Sequence, residues 1–326
     1  MDILWLDQND VRSLIGLSSA MEAVEKAFEQ HGNKKVQMPP KSYLYFDKHN
    51  GDLRTMPAYL EEQDISGVKI VNVHPDNRDK GLPSVMALVI LNSTETGQPL
   101  AVMDGTYLTD LRTGAAGGVA AKYLARKDSH IVGIIGAGNQ AKTQLLALSL
   151  IFDLHRVNVY DVSKDRCDDF REEMMQKMDA TIIVTSTVKD ACDCDILVTV
   201  TPVREPLVKA EWIKQGTHIN AIGADAVGKE ELDPTLITSA KVFVDDIVQA
   251  SHSGEVNVPL SNGIITVDDI WAEIGEVIAG IKIGRENESE ITVFDSTGLA
   301  IQDIAAATLV YDAAKSKGIG RSLSMF

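Results

Sequence analysis

Ile131-Val132-Gly133-Ile134-Ile135-Gly136-Ala137-Gly138-Asn139-Gln140-Ala141 is the stretch from which the fold is read. It opens as an almost unbroken apolar run, the pattern of a parallel strand covered on both faces. A Gly-x-Gly-x-x-Ala turn ends the run, and a helical pattern follows over residues 140–151. In such a turn Gly136 permits the tight reversal, Gly138 lets the backbone approach a pyrophosphate, and Ala141 allows close helix–strand packing. The helix start then offers free N–H groups and the positive end of its dipole to phosphates. A Gly-x-Gly string alone is weak evidence, but here a second strand, residues 157–161, ends in Asp161, twenty residues past Ala141. A carboxylate at that place takes the ribose hydroxyls and repels a 2′-phosphate. The pattern predicts NAD rather than NADP. S-adenosylmethionine, which uses a related turn, is the rival ligand, and a glycine turn that binds nothing is the bland alternative.

Outward from this point the sequence alternates. Ile- and Val-rich runs at 130–136, 157–161, 180–186, 195–201, 217–223, 241–245 and 290–295 are separated, for the most part, by helical patterns such as 140–151 and 164–178. Alternating units of this kind predict an α/β fold, a Rossmann-type doubly wound parallel sheet over residues 113–297. The first 112 residues differ. A helix at 18–30 precedes shorter β-type runs at 41–46, 68–73, 85–92 and 99–104, with turn signals at Asn50-Gly51-Asp52 and Thr96-Gly97-Gln98-Pro99. They predict an α+β domain with a mixed or antiparallel sheet. Long helices are expected at 112–126 and 298–317. If the last one packs back on the first domain, that domain is discontinuous, residues 1–112 and 298–326.

Composition narrows the function. At 326 residues the chain is long enough for two domains, and a formal charge of −16 opposes binding to nucleic acid. No apolar run is long enough for a membrane helix, and Met1-Asp2-Ile3-Leu4-Trp5 lacks the basic start of a signal peptide. Three cysteines make no disulfide framework, which points to the cytoplasm. Cys192 and Cys194, without a nearby histidine, read as a helix end, and no metal is expected. Cys167 stands alone in a helical stretch and reads as inert. His74 reads as a turn-stabilising or a catalytic residue, His252 as part of a loop, and the acidic run 165–173 as a solvated helix face.

In so acidic a chain, cations grouped in short motifs need a reason. Lys41 stands in Pro39-Pro40-Lys41, Arg54 in Asp52-Leu53-Arg54-Thr55-Met56-Pro57, and Arg112 in Leu111-Arg112-Thr113-Gly114. Lys69 lies within an apolar β-type run, an unusual place for lysine. Arginine offers a planar fork to carboxylate or phosphate, whereas a buried lysine loses basicity and suits general acid–base work. Each cation taken singly reads equally well as a surface charge on an apolar stem.

Longer strings carry a resemblance. Gln37-Met38-Pro39-Pro40-Lys41, Asp52-Leu53-Arg54-Thr55-Met56-Pro57-Ala58, Val71-Asn72-Val73-His74-Pro75, Leu111-Arg112-Thr113-Gly114-Ala115-Ala116-Gly117-Gly118, His218-Ile219-Asn220-Ala221-Ile222-Gly223-Ala224-Asp225 and Phe294-Asp295-Ser296-Thr297-Gly298-Leu299-Ala300-Ile301-Gln302-Asp303 run through nearly the whole chain in order. Together with the turn at Gly136, they resemble the ornithine cyclodeaminase/μ-crystallin family, most of all its branch of archaeal-type alanine dehydrogenases. The resemblance implies an NAD-dependent oxidative deamination of L-alanine to pyruvate and ammonia, and its reverse, by a homodimer joined through the first domain. It makes Lys69 the catalytic proton donor and acceptor and Asp225 the acid that handles ammonia or water. Lys41, Arg54 and Arg112 become ligands of the substrate carboxylate, Arg112 also touching the cofactor. Asn139, Gln140, Asp161, Thr201, Ala221, Ile222, Gly223, Lys229 and Ser296, with Gly136 and Gly138, become contacts of NAD. Cyclodeaminases of the family carry a glutamate where Arg54 stands, so the charge here favours a small oxo acid over ornithine. Ala226-Val227-Gly228 departs from the Gly-Pro-Gly turn common after that aspartate in alanine dehydrogenases. Ornithine cyclodeamination or cyclic ketimine reduction, and a μ-crystallin-like ligand-binding role, are the other functions that the resemblance leaves open.

Overall fold

The structure, a computed structural model, describes residues 2–324; Met1, Met325 and Phe326, at the outer limits of the first domain read from sequence, lie outside the described residues. Two compact units divide the chain, one made of the residues up to Arg112 with those from Leu299 onward, the other of Thr113–Gly298. The chain begins with β1 (Asp2–Leu6), α1 (Gln8–Leu14), α2 (Leu17–Gly32), β2 (Val36–Gln37), β3 (Ser42–Phe46), β4 (Gly51–Leu60), β5 (Ile65–Val73), β6 (Val85–Ser93), β7 (Pro99–Asp104) and α3 (Thr106–Leu124). There follow β8 (Ile131–Ile135), α4 (Asn139–Ser149), β9 (Arg156–Tyr160), α5 (Lys164–Met175), β10 (Thr181–Val184), α6 (Val188–Ala191), β11 (Ile196–Thr199), β12 (His218–Ala221) and α7 (Pro234–Ser239). Next come β13 (Lys241–Val244), α8 (Ile247–Ser253), α9 (Asn257–Ser261), β14 (Ala272–Glu273), α10 (Ile274–Ile278) and β15 (Thr292–Asp295), and the chain closes with α11 (Ala300–Lys317) and β16 (Arg321–Ser324).

The second unit holds a parallel sheet in the order β10-β9-β8-β11-β12-β15-β13-β14. Alternate residues of its strands feed two cores. Val132, Ile134, Val157, Val159, Ile196 and Val198 pack with Leu145, Leu148, Phe170 and Met174. On the other face Ile135, Leu197, Ile219, Val244 and Val293 pack with Leu232, Leu236, Ala250 and Val256. Burial on both faces is why these strands read as largely apolar runs, with the buried Asn158, His218 and Asn220 as interruptions. Strand order reverses between β8 and β11, and ligands of such sheets bind beyond the carboxyl ends of the strands at that reversal.

In the first unit the sheet order is β16-β1-β7-β6-β5-β4-β2, with β3 also on β4. Only β1 and β7 run parallel within it. Helix α11 packs on α2, β4, β5 and β6. It covers the sheet face that carries Met56, Ala58, Val71, Ala87 and Val89, all buried. The opposite face is apolar too, yet Trp5, Leu44, Met86 and Leu88 are exposed there. No helix among the described residues is long and apolar enough to cross a membrane.

Three elements correct the sequence reading. The ten-residue strand β4 occupies a stretch read only as a turn and a charged motif, because Gly51, Asp52, Arg54 and Pro57 all weigh against a strand. Helix α3 starts at Thr106 rather than 112, because the carboxylate of Asp104 accepts hydrogen bonds from the N–H groups of Thr106 (3.3 Å) and Tyr107 (2.9 Å). His252 lies in the last turn of α8, not in a loop. Asp246 caps that helix by accepting from the Gln249 N–H at 2.8 Å.

Candidate functional site

Strand pairing gathers the cations of the first unit. Arg54 lies opposite Val71 and Met56 opposite Lys69 in the β4–β5 register. Residues opposite each other, or two apart on one strand, share a face. Arg54 and Lys69 therefore point together to the buried side, 8% and 1% exposed. There the fully buried Asp303 of α11 brings one carboxylate oxygen to 2.8 Å from Lys69 Nζ, and its other oxygen accepts from Arg112 Nε at 2.9 Å. Arg112 also donates to Gln302 Oε1 at 2.7 Å. Burial lowers the Lys69 pKa from 10.5 to about 7. The Arg112 and Lys41 charges push the same way, and Asp303 opposes them. Lys41 precedes β3, whose Tyr43 ring lies under the Arg54 guanidinium at 5.5 Å. Arg54 is itself held two-pronged by Asp52, at 2.8 and 3.1 Å.

Guanidinium and ammonium groups gathered in this way are the complement of a small organic anion such as a carboxylate. Asp303 is the residue on which the cluster depends. Replacing it by asparagine leaves two buried cations without their counter-charge, at an expected cost of about 3–5 kcal/mol. The measurement is the urea midpoint of unfolding for Asp303→Asn; an unshifted midpoint means that other groups neutralise Lys69 and Arg112.

In the second unit the chain leaves β8 through Gly136, whose φ of +99° is strained for any residue with a side chain. Gly138 stands at the N-cap of α4 with no side-chain cap, and a Cβ built there meets nothing within 4 Å. Open space before an uncapped helix start fits a pyrophosphate. Asn139 and Gln140 are the first residues of that helix. Asp161, just past β9, accepts from the Ala137 N–H at 2.9 Å and from the Ser163 N–H at 2.9 Å. The acid thus ties the glycine turn to the end of β9. A cavity of about 690 Å³ opens beside it, lined by Tyr160, Asp161, Lys164, Arg171, Thr185 and Ser186 among others.

The remaining residues that the resemblance singled out in this unit lie just beyond neighbouring strand ends. Ala221 ends β12, the Ile222 N–H donates to Thr199 O at 2.9 Å, and the Ser296 N–H donates to Ala221 O at 3.0 Å. Thr201 donates both its N–H (2.7 Å) and its hydroxyl (2.6 Å) to one oxygen of Glu231, whose other oxygen accepts from the Gly223 N–H at 2.9 Å. Lys229 is engaged with Asp225 at 2.6 Å rather than pointing away from it.

Sequence reasoning named Lys69, Arg54 and Arg112 but not their acids, Asp303 and Asp52, nor Glu231. A signal existed for Asp303: with Gln302 it interrupts an Ala/Ile helix whose residues from Ala300 to Ala307 are all buried. The cysteines are buried, and burial pushes the Cys192 thiol up to about 12. His130, Asp153 and His155 bring three possible metal donors together. The two rings stack in parallel, centroids 4.4 Å apart, which sets their lone pairs side by side instead of converging.

Comparison with known proteins adds the following. The family model described as ornithine cyclodeaminase/mu-crystallin family matches residues 2–318. Alanine dehydrogenase of Archaeoglobus fulgidus is 55% identical over 326 residues, all of this chain and 99% of that protein. A solved archaeal alanine dehydrogenase dimer with bound NAD superposes with a TM-score of 0.97, at 55% identity and full coverage of both chains. Delta(1)-pyrroline-2-carboxylate reductase of Thermococcus litoralis, in complex with NADH and L-proline, gives 0.96 at 43% identity, covering 98% of this chain and 100% of that one.

Proposed function

The chain belongs to the ornithine cyclodeaminase/mu-crystallin family, and we propose that within it the protein is an NAD-dependent L-alanine dehydrogenase. The observation that carries this reading is the placement of Arg54 beside Lys69 on one buried sheet face. A cation at position 54 clamps the carboxylate of a small oxo acid and repels the second ammonium of ornithine. The 55% identity to an alanine dehydrogenase over the whole chain supports the same choice.

NAD is held by the turn at Gly136 and Gly138, the start of α4, Asp161, and the strand-end residues Thr201, Ala221, Ile222, Gly223 and Ser296. When bound it supplies the hydride acceptor for Cα of alanine. What this chain's side chains add is binding and proton transfer. Arg54, Lys41 and Arg112 hold the carboxylate. In the forward direction Asp225 takes a proton from the water that adds at Cα, and Lys69 takes the hydroxyl proton of the resulting carbinolamine as ammonia leaves. In reverse, Lys69 returns that proton to the carbonyl oxygen as ammonia adds, and Asp225 returns its proton to the carbinolamine hydroxyl so that it departs as water. Water is consumed and ammonia released, so pyruvate, ammonium, NADH and a proton balance alanine, NAD and water.

The exposed apolar face of Trp5, Leu44, Met86 and Leu88 supports a homodimer joined through the first unit. The three free, buried cysteines suit the reducing cytoplasm.

The test is NADH consumption with pyruvate plus ammonium, beside glyoxylate, 2-oxobutyrate, a cyclic ketimine carboxylate and NAD-dependent ornithine turnover. Pyruvate is expected to give the highest kcat/KM. A higher value for the cyclic ketimine passes the function to the reductase reading, which the 43% identity to the Thermococcus litoralis enzyme favours. Arg54→Met is expected to lower kcat/KM for pyruvate by ~10–100-fold, the worth of a charge-assisted hydrogen bond, mostly through KM. An unchanged KM for pyruvate removes Arg54 from the clamp.

A further inference from the structure

Glu231 is fully buried, and each part of it is committed. Its backbone N–H donates to Glu255 Oε1 at 2.8 Å, as does the Leu232 N–H at 2.7 Å. Its carbonyl accepts from the N–H groups of Leu207 and Val208, at 2.8 and 3.0 Å. With the backbone pinned in this way, the side chain reaches two strand-end loops at once. Oε1 takes the N–H and hydroxyl of Thr201, beyond β11, and Oε2 takes the N–H of Gly223, beyond β12. The two loops lie so close that a Cβ on Gly223 would fall 2.2 Å from Thr201 O and 2.6 Å from Glu231 Oε2. Asp225 is fixed in turn, because its N–H donates to Gly223 O at 3.1 Å.

A carboxylate is the one side chain of this length that fits. Three donors converge on two oxygens, so both oxygens must accept. Glutamine of the same shape offers one acceptor and turns an N–H toward an N–H. Burying a carboxylate is costly, and a site with no further duty would be filled more cheaply by an apolar side chain and loops that hydrogen-bond to each other.

We propose that Glu231 is a positioning residue of the dehydrogenase: its carboxylate sets the spacing of the Thr201 and Gly223 loops where the nicotinamide end of the cofactor binds, and through Gly223 it sets the place of Asp225. The proposal rests on the NAD-dependent reading above. Glu231 acts through those loops and not by contact with substrate.

Glu231→Gln is the decisive variant, read first without any substrate. In the ligand-free protein the amides of Thr201 and Gly223 are expected to exchange with deuterium at least ten-fold faster than in wild type. NADH titrated by its fluorescence is expected to bind at least ten-fold more weakly, and kcat to fall while KM for pyruvate stays within two-fold. A merely structural role does not produce that split. Glu231→Asp keeps the charge but falls a methylene short of spanning both loops, and it is expected to bind NADH at least five-fold more weakly. NADH binding within two-fold of wild type in Glu231→Gln, or in Glu231→Asp where the glutamine variant does not fold, overturns the proposal. A wild-type protein that binds NADH but does not aminate pyruvate removes the alanine reading and leaves the exchange and NADH results to decide on Glu231. Wild type that does not bind NADH overturns both.

Discussion

Lys69→Met is expected to lower turnover by ~10²–10⁴ at saturating alanine and NAD while the protein stays folded, the range that a positioned general acid–base group contributes. Methionine follows the unbranched path of the lysine stem, and Asp303 keeps its contact with Arg112. The loss therefore reports on the amine and not on a collapsed core. Its pH signature follows from the lowered pKa. With Lys69 near 7, the neutral amine that accepts a proton becomes the dominant form as pH rises through neutrality. Oxidative turnover of wild type should climb through about pH 7, and the variant should lack that limb. Amination, corrected for free ammonia, should fall across the same interval, because there the ammonium form is the donor.

Stability carries a second signature of the same residue. Unfolded Lys69 holds its proton up to 10.5, and folded Lys69 releases it near 7. Between those values the unfolded chain binds more protons, so the Lys69 contribution to stability is full above 10.5 and is lost as pH falls toward 7. The difference in Tm between wild type and Lys69→Met should therefore change steadily over that interval. Turnover in the variant within ten-fold of wild type, or a Tm difference independent of pH, would take Lys69 out of the proposed chemistry.

The two units differ in how much of them could be read beforehand, and the reason is physical. Strands of the parallel sheet are buried on both faces, so β8 and β11 are nearly continuous apolar runs that local pattern detects. Strand β4 has one face on the core and carries Arg54 inside it, which breaks the pattern that marks a strand. Likewise Lys69 was conspicuous because a lysine in an apolar run is out of place, whereas its partner depends on folding. Asp303 lies 191 residues from Arg112, and no local spacing joins them. The same holds for Glu231, which reaches back 30 residues to Thr201. Side chains that touch a ligand advertise themselves by type and motif. Those that hold the first group in place are ordinary acids whose role exists only once distant strands are adjacent.

Asp225→Asn is the second large effect expected, a fall in kcat of ~10²–10⁴ with alanine KM within about three-fold. Asparagine keeps the shape and removes only the negative charge and its capacity to accept a proton. The loop that carries it should survive the change. Gly228 N–H donates to Asn257 Oδ1 at 3.0 Å, Asn257 donates to Lys229 O at 2.9 Å, and Arg204 donates to Val227 O at 3.0 Å. These contacts hold the 226–229 loop in place without help from the Asp225 carboxylate. The Asp225–Lys229 pair is partly exposed, 36% and 18%, so its loss should cost no more than about 1 kcal/mol. Tm and NADH affinity are accordingly expected to stay near wild type while turnover collapses, a combination that damage to the cofactor site does not give. Retention of more than a tenth of wild-type turnover by Asp225→Asn assigns the proton to another group.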